Sequence, residues 1–154
     1  MKYLLILSML FLMSCGSGDD SNDADTVPVE LIGLWVRDCN TVGFDSGYLN
    51  TTQATTIEFI GNTRSITTLV YDGDDCTGNI LSEGGHEGEY SEIKTILSRD
   101  GVEGIAAKVT ISDGDVVYFS YHLNGDFMYL GSWFPGATSS SFNFSEPFYK
   151  SQNL

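Results

Sequence analysis

Basic residues are scarce in this chain. Only 7 of its 154 residues are Lys or Arg, against 21 Asp or Glu, and the formal net charge is −14. Nucleic acids and anionic membranes are bound through clustered Lys and Arg, and this chain holds too few of them to build such a cluster. The composition therefore predicts no nucleic-acid partner and no basic membrane-binding face. It indicates a soluble domain, with a salt-tolerant surface or the capture of cations as alternatives.

Motifs for catalysis are also few. The chain has two histidines and neither belongs to a zinc-protease helix motif, and it has no Gly-x-Ser-x-Gly elbow and no phosphate loop. His86 lies in a glycine-rich stretch that predicts a flexible loop, and His122 lies on the polar face of a predicted strand. We therefore expect no enzyme activity, no cofactor and no metal. The sequence does not decide whether a pair of carboxylates for glycoside cleavage is present, because such a pair is defined by its separation in the folded protein.

One acidic segment, Asp72 to Glu83, has acids at positions 1, 3 and 12 of a calcium-loop pattern. Position 5 is Cys76, and position 6 is Thr77 where the pattern requires glycine for a sharp turn. The segment therefore predicts an acidic turn, with weak calcium binding as the alternative.

No apolar run is long enough to span a membrane as a helix, which takes about 20 residues. The run from Tyr3 to Met13 is shorter, follows a basic Lys2, and leads into Leu12-Met13-Ser14-Cys15. These four residues resemble the lipobox of bacterial lipoproteins. The resemblance implies a signal peptide over 1–14 and a diacylglyceryl and N-acyl (palmitate-type) anchor on Cys15. The alternative is an ordinary secretory signal followed by a chance cysteine.

The residues after Cys15 predict a tether. Positions 16–26 contain no apolar residue larger than alanine and several aspartates, so 15–27 should be a disordered acidic linker that holds the domain off the bilayer. In Gram-negative lipoproteins, Gly16 rather than Asp after the lipidated cysteine implies the outer membrane, on its periplasmic side or at the cell surface.

The remainder, 28–150, predicts an all-β domain of seven to nine strands. Asp-Gly or Asn-Gly pairs at 100–101, 113–114 and 124–125 and the Gly61-Asn62 pair mark hairpin turns. Between them apolar residues alternate, as in Val117, Phe119, Tyr121 and Leu123. A further predicted strand, over 87–98, leads into the turn at 100–101. Outside the N-terminal segment there is no helical periodicity. Regularly spaced short strands favour a closed barrel or a sandwich.

The first strand carries a more particular signature. Leu31-x-Gly33-x-Trp35 is followed by Cys39 and later by a Tyr-Asp-x-Asp-x-Cys turn that ends at Cys76. This pattern resembles the lipocalin (calycin) barrels, and it is similar to lipocalin-like lipoproteins of proteobacteria. The resemblance implies one small antiparallel meander barrel. A chance Gly-x-Trp pair in a core strand is the alternative.

In lipocalins the tryptophan of this signature plugs the closed end. Trp35 would do so here, and Gly33 would let a neighbouring backbone approach. A basic residue from the last strand covers that tryptophan in the family. Lys150 is the only candidate near the C-terminus of this chain, and it matches the family pattern weakly.

Two cysteines remain once Cys15 is lipidated. An even pair in an exported domain predicts a Cys39–Cys76 disulfide. The alternatives are a zinc site with His86 and His122, or a redox pair.

The aromatic tail predicts a last strand. Phe142, Phe144 and Phe148 fit one strand that covers or closes the barrel, and an exposed platform for sugars or peptides is the alternative.

Together these features predict a membrane-anchored envelope lipoprotein that binds a small apolar ligand or a peptide in the barrel mouth. Gly33, Trp35, Phe119 and Tyr121 are the candidate plug and pocket residues. The alternative is a structural or protein-interaction lipoprotein with a filled barrel. A void of about 300 Å³ beside Trp35 would favour the binding module. A mouth sealed by the three tail phenylalanines would favour the alternative.

Overall fold

A computed structural model describes residues 27–42 and 51–152. The predicted signal peptide, the lipidation of Cys15 and almost all of the predicted tether lie outside these residues. Within this range, no helix has the length and apolar character needed to cross a membrane.

Nine β-strands account for most of the described chain. They are β1 (Gly33–Val42), β2 (Thr51–Ile60), β3 (Thr63–Tyr71), β4 (Ile80–Leu97), β5 (Glu103–Ile111), β6 (Val116–Asn124), β7 (Phe127–Ser132), β8 (Ser141–Phe142) and β9 (Phe148–Lys150). A 3-10 turn, Asp74–Cys76, lies between β3 and β4.

Antiparallel pairing closes eight of these strands into a barrel. Strands β1 to β7 pair in chain order, β7 then pairs with β9, and β9 pairs with β1. Strand β8 is an extra strand on β7. The predicted small antiparallel meander barrel is therefore confirmed. The four predicted hairpin turns each place a glycine at positive φ, at Gly61, Gly101, Gly114 and Gly125.

Strand β4 is longer than the sequence predicts. The predicted strand begins at Glu87, whereas β4 begins at Ile80, and the prediction that His86 lies in a flexible loop is wrong. Its first half pairs with β3 and its second half with β5, with a register shift between Glu92 and Lys94. Backbone atoms of the neighbouring strands occupy the space that a Cβ would need at Gly85 and Gly88. These glycines permit close contact between the strands. Because they carry no side chains, they also interrupt the alternation of apolar and polar residues by which a strand is predicted.

The barrel interior is filled by alternate side chains of the strands. Trp35 on β1, Ile57 and Phe59 on β2 and Tyr90 on β4 belong to one buried cluster. The other members are Val27, Leu31, Ala107, Val109, Phe119, Tyr121, Met128 and Phe148. We call this set the inner core.

A second buried cluster lies outside the barrel wall. Ala107 belongs to the inner core, whereas its neighbour Ala106 packs with Ile96, Trp133 and Phe142. The single predicted final strand is therefore wrong, because Phe142 lies in β8 on the outer cluster and Phe148 lies in β9 on the inner core. Phe144, between these strands, is 44% exposed. Phe142 therefore lies on the wall of the barrel, whereas Phe148 lies inside it.

Candidate ligand-binding site in the barrel

The start of β1 forms a closed end around Trp35. The side chain of Trp35 is 1% exposed, and its Nε1 donates a hydrogen bond to the Leu31 carbonyl at 2.8 Å. Lys150 on β9 pairs with Trp35, and its Nζ lies 5.4 Å from the centre of the indole. The same Nζ donates to the Glu30 carbonyl at 2.7 Å. A basic residue of the last barrel strand thus covers the tryptophan, as the lipocalin resemblance implies.

Gly33 has a role that differs from the expected one. A Cβ at this position would meet only the Lys150 Cε, at 3.6 Å, which is ordinary contact. The backbone φ of Gly33 is 120°, a region that side-chain-bearing residues rarely adopt. The expected close approach of a neighbouring backbone is therefore wrong, and glycine is favoured by its dihedral angle.

Large buried side chains fill the barrel above this plug. Phe59, Tyr90 and Met128 are fully buried, and Tyr121 is 2% exposed. The Tyr90 and Tyr121 hydroxyls share a hydrogen bond of 2.9 Å. Burial raises the pKa of Tyr90 to about 12 and raises that of Tyr121 as well, so both phenols are neutral at physiological pH. These side chains fill the barrel immediately above Trp35.

Interior side chains are less buried toward the opposite end of the barrel. We call this the open end, and it contains the end of β3 and the start of β4. On the interior face of β3, Arg64 is 3% exposed, whereas Ile66, Thr68 and Val70 are only partly buried. On β4, Tyr90 is buried, His86 is partly buried and Gly84 is exposed. Interior positions of this end therefore meet solvent.

A groove of about 390 Å³ runs along the outer face of β3 and β4, where Ser65, Thr67, Glu83 and Glu87 line it. Trp35 does not line this groove, so it is not the void beside Trp35 that would favour a binding module.

Arg64 lies beneath the open end as a buried cation. Its Nη1 donates to the His86 Nε2 at 3.2 Å, and its guanidinium carbon lies 4.5 Å from the centre of the Phe119 ring. Among the described residues, none accepts a hydrogen bond from its Nε. Burial lowers the pKa of Arg64 to about 10, so the group stays charged at neutral pH. Burial and the neighbouring Arg64 charge both lower the pKa of His86, so that its ring is neutral.

A second arginine, Arg37, also faces the interior. It lies two residues after Trp35 on the same face of β1, and its Nη2 donates to the Thr55 Oγ1 at 3.0 Å. Its Nη1 pairs with the Glu146 carboxylate at 3.3 Å, the one salt bridge within residues 27–42 and 51–152. The Arg37 Nε also lacks an acceptor in the part of the chain that the structure describes.

The sequence reasoning named neither arginine as a site residue, although a signal was present. Arg37 lies on the same face of β1 as Trp35, and Arg64 lies on the same face of β3 as Ile66. Each therefore stands on the apolar face of its strand, where a charged residue is unusual.

The predicted pocket residues occupy different places. Phe119 contacts the Arg64 guanidinium at the open end. Tyr121 borders a different cleft of about 390 Å³ at the closed end, with apolar contacts from Ile105 and Leu123. Carboxylates of Glu30, Glu92 and Glu103 also line that cleft. Carboxylates therefore line both this cleft and the groove on the outer face of β3 and β4.

The predicted disulfide joins Cys39 and Cys76 in the structure. It connects β1 to the 3-10 turn, and the Thr52 hydroxyl accepts a hydrogen bond from the Cys76 N–H at 3.0 Å. In the acidic segment, the Asp72 carboxylate accepts from the Asn79 backbone and side chain and so closes the turn. The described residues contain no group of three or more His, Cys, Asp or Glu side chains placed to hold a metal.

His122 lies on the outer wall. Its Nδ1 donates to the Glu103 carbonyl at 2.7 Å, and its ring stacks on Tyr129. His86, inside the barrel, accepts from Arg64. The two histidines are therefore on opposite faces of the sheet. The alternative of a zinc site that joins them to Cys39 and Cys76 is wrong, because both cysteines are in the disulfide.

Comparison of the chain with protein-family models, with curated proteins and with solved structures found no match in any of the three.

Proposed function

We propose that this protein is a lipid-anchored lipoprotein of the bacterial envelope whose barrel binds a small ligand with an apolar body at its open end. One observation carries the proposal. Ile66, Val70, Val117 and Leu130 face the interior yet are only partly buried. In a barrel filled by its own side chains such positions would be enclosed. Exposed apolar lining beside a few polar groups is typical of small-molecule sites.

The strand register supports the inward direction of three of these side chains, those of Ile66, Val117 and Leu130. Val117 pairs with the buried Val109, and Leu130 pairs with the buried Tyr121. Ile66 pairs with Ile57, and both Ile66 and Leu130 pack against the inner core. The open end is therefore continuous with the core and has apolar walls.

Filling the open end tests this proposal. The full chain carrying Cys15→Ser avoids detergent, because the expected acyl chains are then absent. In this background Val117→Trp should weaken binding of the neutral dye N-phenyl-1-naphthylamine at least tenfold, as measured by its fluorescence. Val116→Trp is the matched control, since Val116 points outward and is 40% exposed. No dye binding to the parent chain, or equal binding by all three proteins, would contradict the proposal.

Membrane anchoring is tested separately. Replacing Cys15 with serine should move the protein from the membrane fraction to the soluble fraction, because a stable anchor needs the acyl chains. A variant that stays with the membrane would contradict lipidation at this residue.

A protein-interaction role is the second candidate, and the outer wall supports it. An aromatic strip runs over this wall, with Tyr129 contacting Phe127 and Phe144, and Phe127 contacting Tyr149. Phe127, Phe144 and Tyr149 are each more than a third exposed. A photo-crosslinking residue at Phe144, but not at Lys108 on β5, should then form a specific adduct with one envelope protein in intact cells.

A further inference from the structure

The interior of the open half is basic, in contrast to the rest of the chain. Two of only 7 Lys and Arg residues, Arg37 and Arg64, face inward there, although the net charge is −14. The third titratable group on this face is His86. Among the described residues the one carboxylate that meets these groups is Glu146, which comes from the turn before β9 and pairs with Arg37.

Arg64 therefore carries a charge that the described part of the protein does not neutralise. A buried cation without an anionic partner is strongly unfavourable, because burial removes its hydration. The Phe119 ring and the neutral His86 ring stabilise it only in part, since neither holds a negative charge. Within residues 27–42 and 51–152, its Nε has no acceptor. The guanidinium is thus buried, charged and incompletely bonded beside the partly exposed Ile66.

We propose that Arg64 binds the anionic head, a carboxylate or phosphate group, of an amphipathic ligand that enters through the open end. A planar guanidinium with a free N–H suits both anions, because it can donate two parallel hydrogen bonds. The tail of the ligand lies against Ile66, Val117 and Leu130. This inference rests on the proposed function and adds to it the charge of the ligand and the orientation of its head.

Four probes of equal chain length test the inference. Octanoate, octyl phosphate, 1-octanol and octylammonium are titrated by calorimetry into the full chain carrying Cys15→Ser. Octanoate, octyl phosphate or both should bind at least tenfold more tightly than 1-octanol, and octylammonium should bind most weakly. Whichever of the two anions binds more tightly identifies the head group.

Two substitutions assign the preference to Arg64. Arg64→Gln should abolish the difference between the anions and 1-octanol, and Arg64→Lys should retain part of it. Arg99→Gln is the matched control, because it removes the same charge from an exposed turn and should leave the preference unchanged. Thermal unfolding checks that each variant is folded. If Arg64→Gln does not fold, the comparison of Arg64→Lys with the parent protein provides the test.

The outcomes separate the two proposals. If no probe binds, the proposed function fails. If 1-octanol binds as tightly as the anions, or if Arg64→Gln keeps the anion preference, the barrel binds ligands but the inference about Arg64 is overturned.

Discussion

The two ends of the barrel use the same strands in different ways. At the closed end, Trp35 is enclosed by Leu31 and Lys150, and large apolar side chains fill the space above it. At the open end, Arg64 is buried, whereas the interior positions of His86 and Thr68 remain partly exposed. Packed apolar contacts stabilise a fold, whereas incompletely bonded charges at a solvent opening suit ligand binding. The comparison assigns stability to the closed end, and our proposal assigns ligand binding to the open end.

The largest predicted effect tests the closed end. Trp35→Ala should lower the free energy of unfolding by roughly 3–5 kcal/mol, because it removes a fully buried aromatic side chain. Val117→Ala at the open end should cost about 1 kcal/mol or less, since that side chain is only partly buried. Urea unfolding measures both. Similar losses at the two positions would contradict the division between the ends.

The disulfide should have the next largest effect. Replacing Cys39 and Cys76 together with alanine should destabilise the domain by roughly 2–4 kcal/mol, because the bridge restrains a 37-residue separation in the unfolded chain. Thermal unfolding with and without reducing agent measures the same effect in the parent protein. An unchanged melting temperature would indicate that the bridge contributes no stability.

Arg64→Met should act in the opposite direction. It replaces a buried charge with an apolar side chain of similar length, so the ligand-free protein should gain roughly 1–2 kcal/mol of unfolding free energy. Urea unfolding in the absence of any amphiphile measures the gain, and Arg99→Met controls for loss of a surface charge. A large loss of stability would mean that the guanidinium is a structural element of the core.

Lys150→Met should produce a smaller loss. It keeps the aliphatic contact with the indole and removes the cation, so roughly 0.5–1 kcal/mol of cation–π stabilisation should disappear. Urea unfolding measures it, and the Trp35 fluorescence spectrum reports whether the ring stays buried. No change in stability would show that Lys150 covers Trp35 only as a hydrocarbon chain.

The smallest effect concerns His86 and pH. Its pKa in the folded protein is lowered, so below about pH 6.5 the unfolded chain binds a proton that the folded chain does not. Stability should therefore fall as the pH drops below this value, and it should fall less in His86→Gln. The difference in melting temperature between the two proteins at pH 5.5 and 7.5 measures the effect. Parallel pH curves would contradict a neutral His86 in the folded state.

Local sequence signals explain why much of the barrel could be predicted. The hairpins from β5 to β7 depend on Asp-Gly and Asn-Gly turns and on alternation within nine or so residues, which are features of neighbouring positions. The first half of β4 lacks both signals. Gly84, Gly85 and Gly88 carry no side chains to show a period, and only the pairing with β3 makes this stretch a strand.

Features that depend on closure of the barrel were harder to predict. Lys150 covers Trp35 because β9 pairs with β1, and the sequence gives no register for strands so far apart. The prediction of a single strand in the aromatic tail was wrong for a related reason, since nothing in the local sequence distinguishes the outward Phe142 from the inward Phe148. Arg64 could have been recognised from the sequence, because alternation along the strand puts it on the same face as Ile66. The residues that carry the proposed site thus break the apolar pattern which identifies the fold.

Native mass spectrometry of the full-length protein, released from the membranes of the cells that make it, tests the central claim most directly. We expect the parent protein to carry a small acidic molecule as a defined mass increment, and we expect Arg64→Gln to lack that increment while Arg99→Gln retains it. A parent protein without any bound molecule, or an increment that persists in Arg64→Gln, would contradict an open end built to hold an anion.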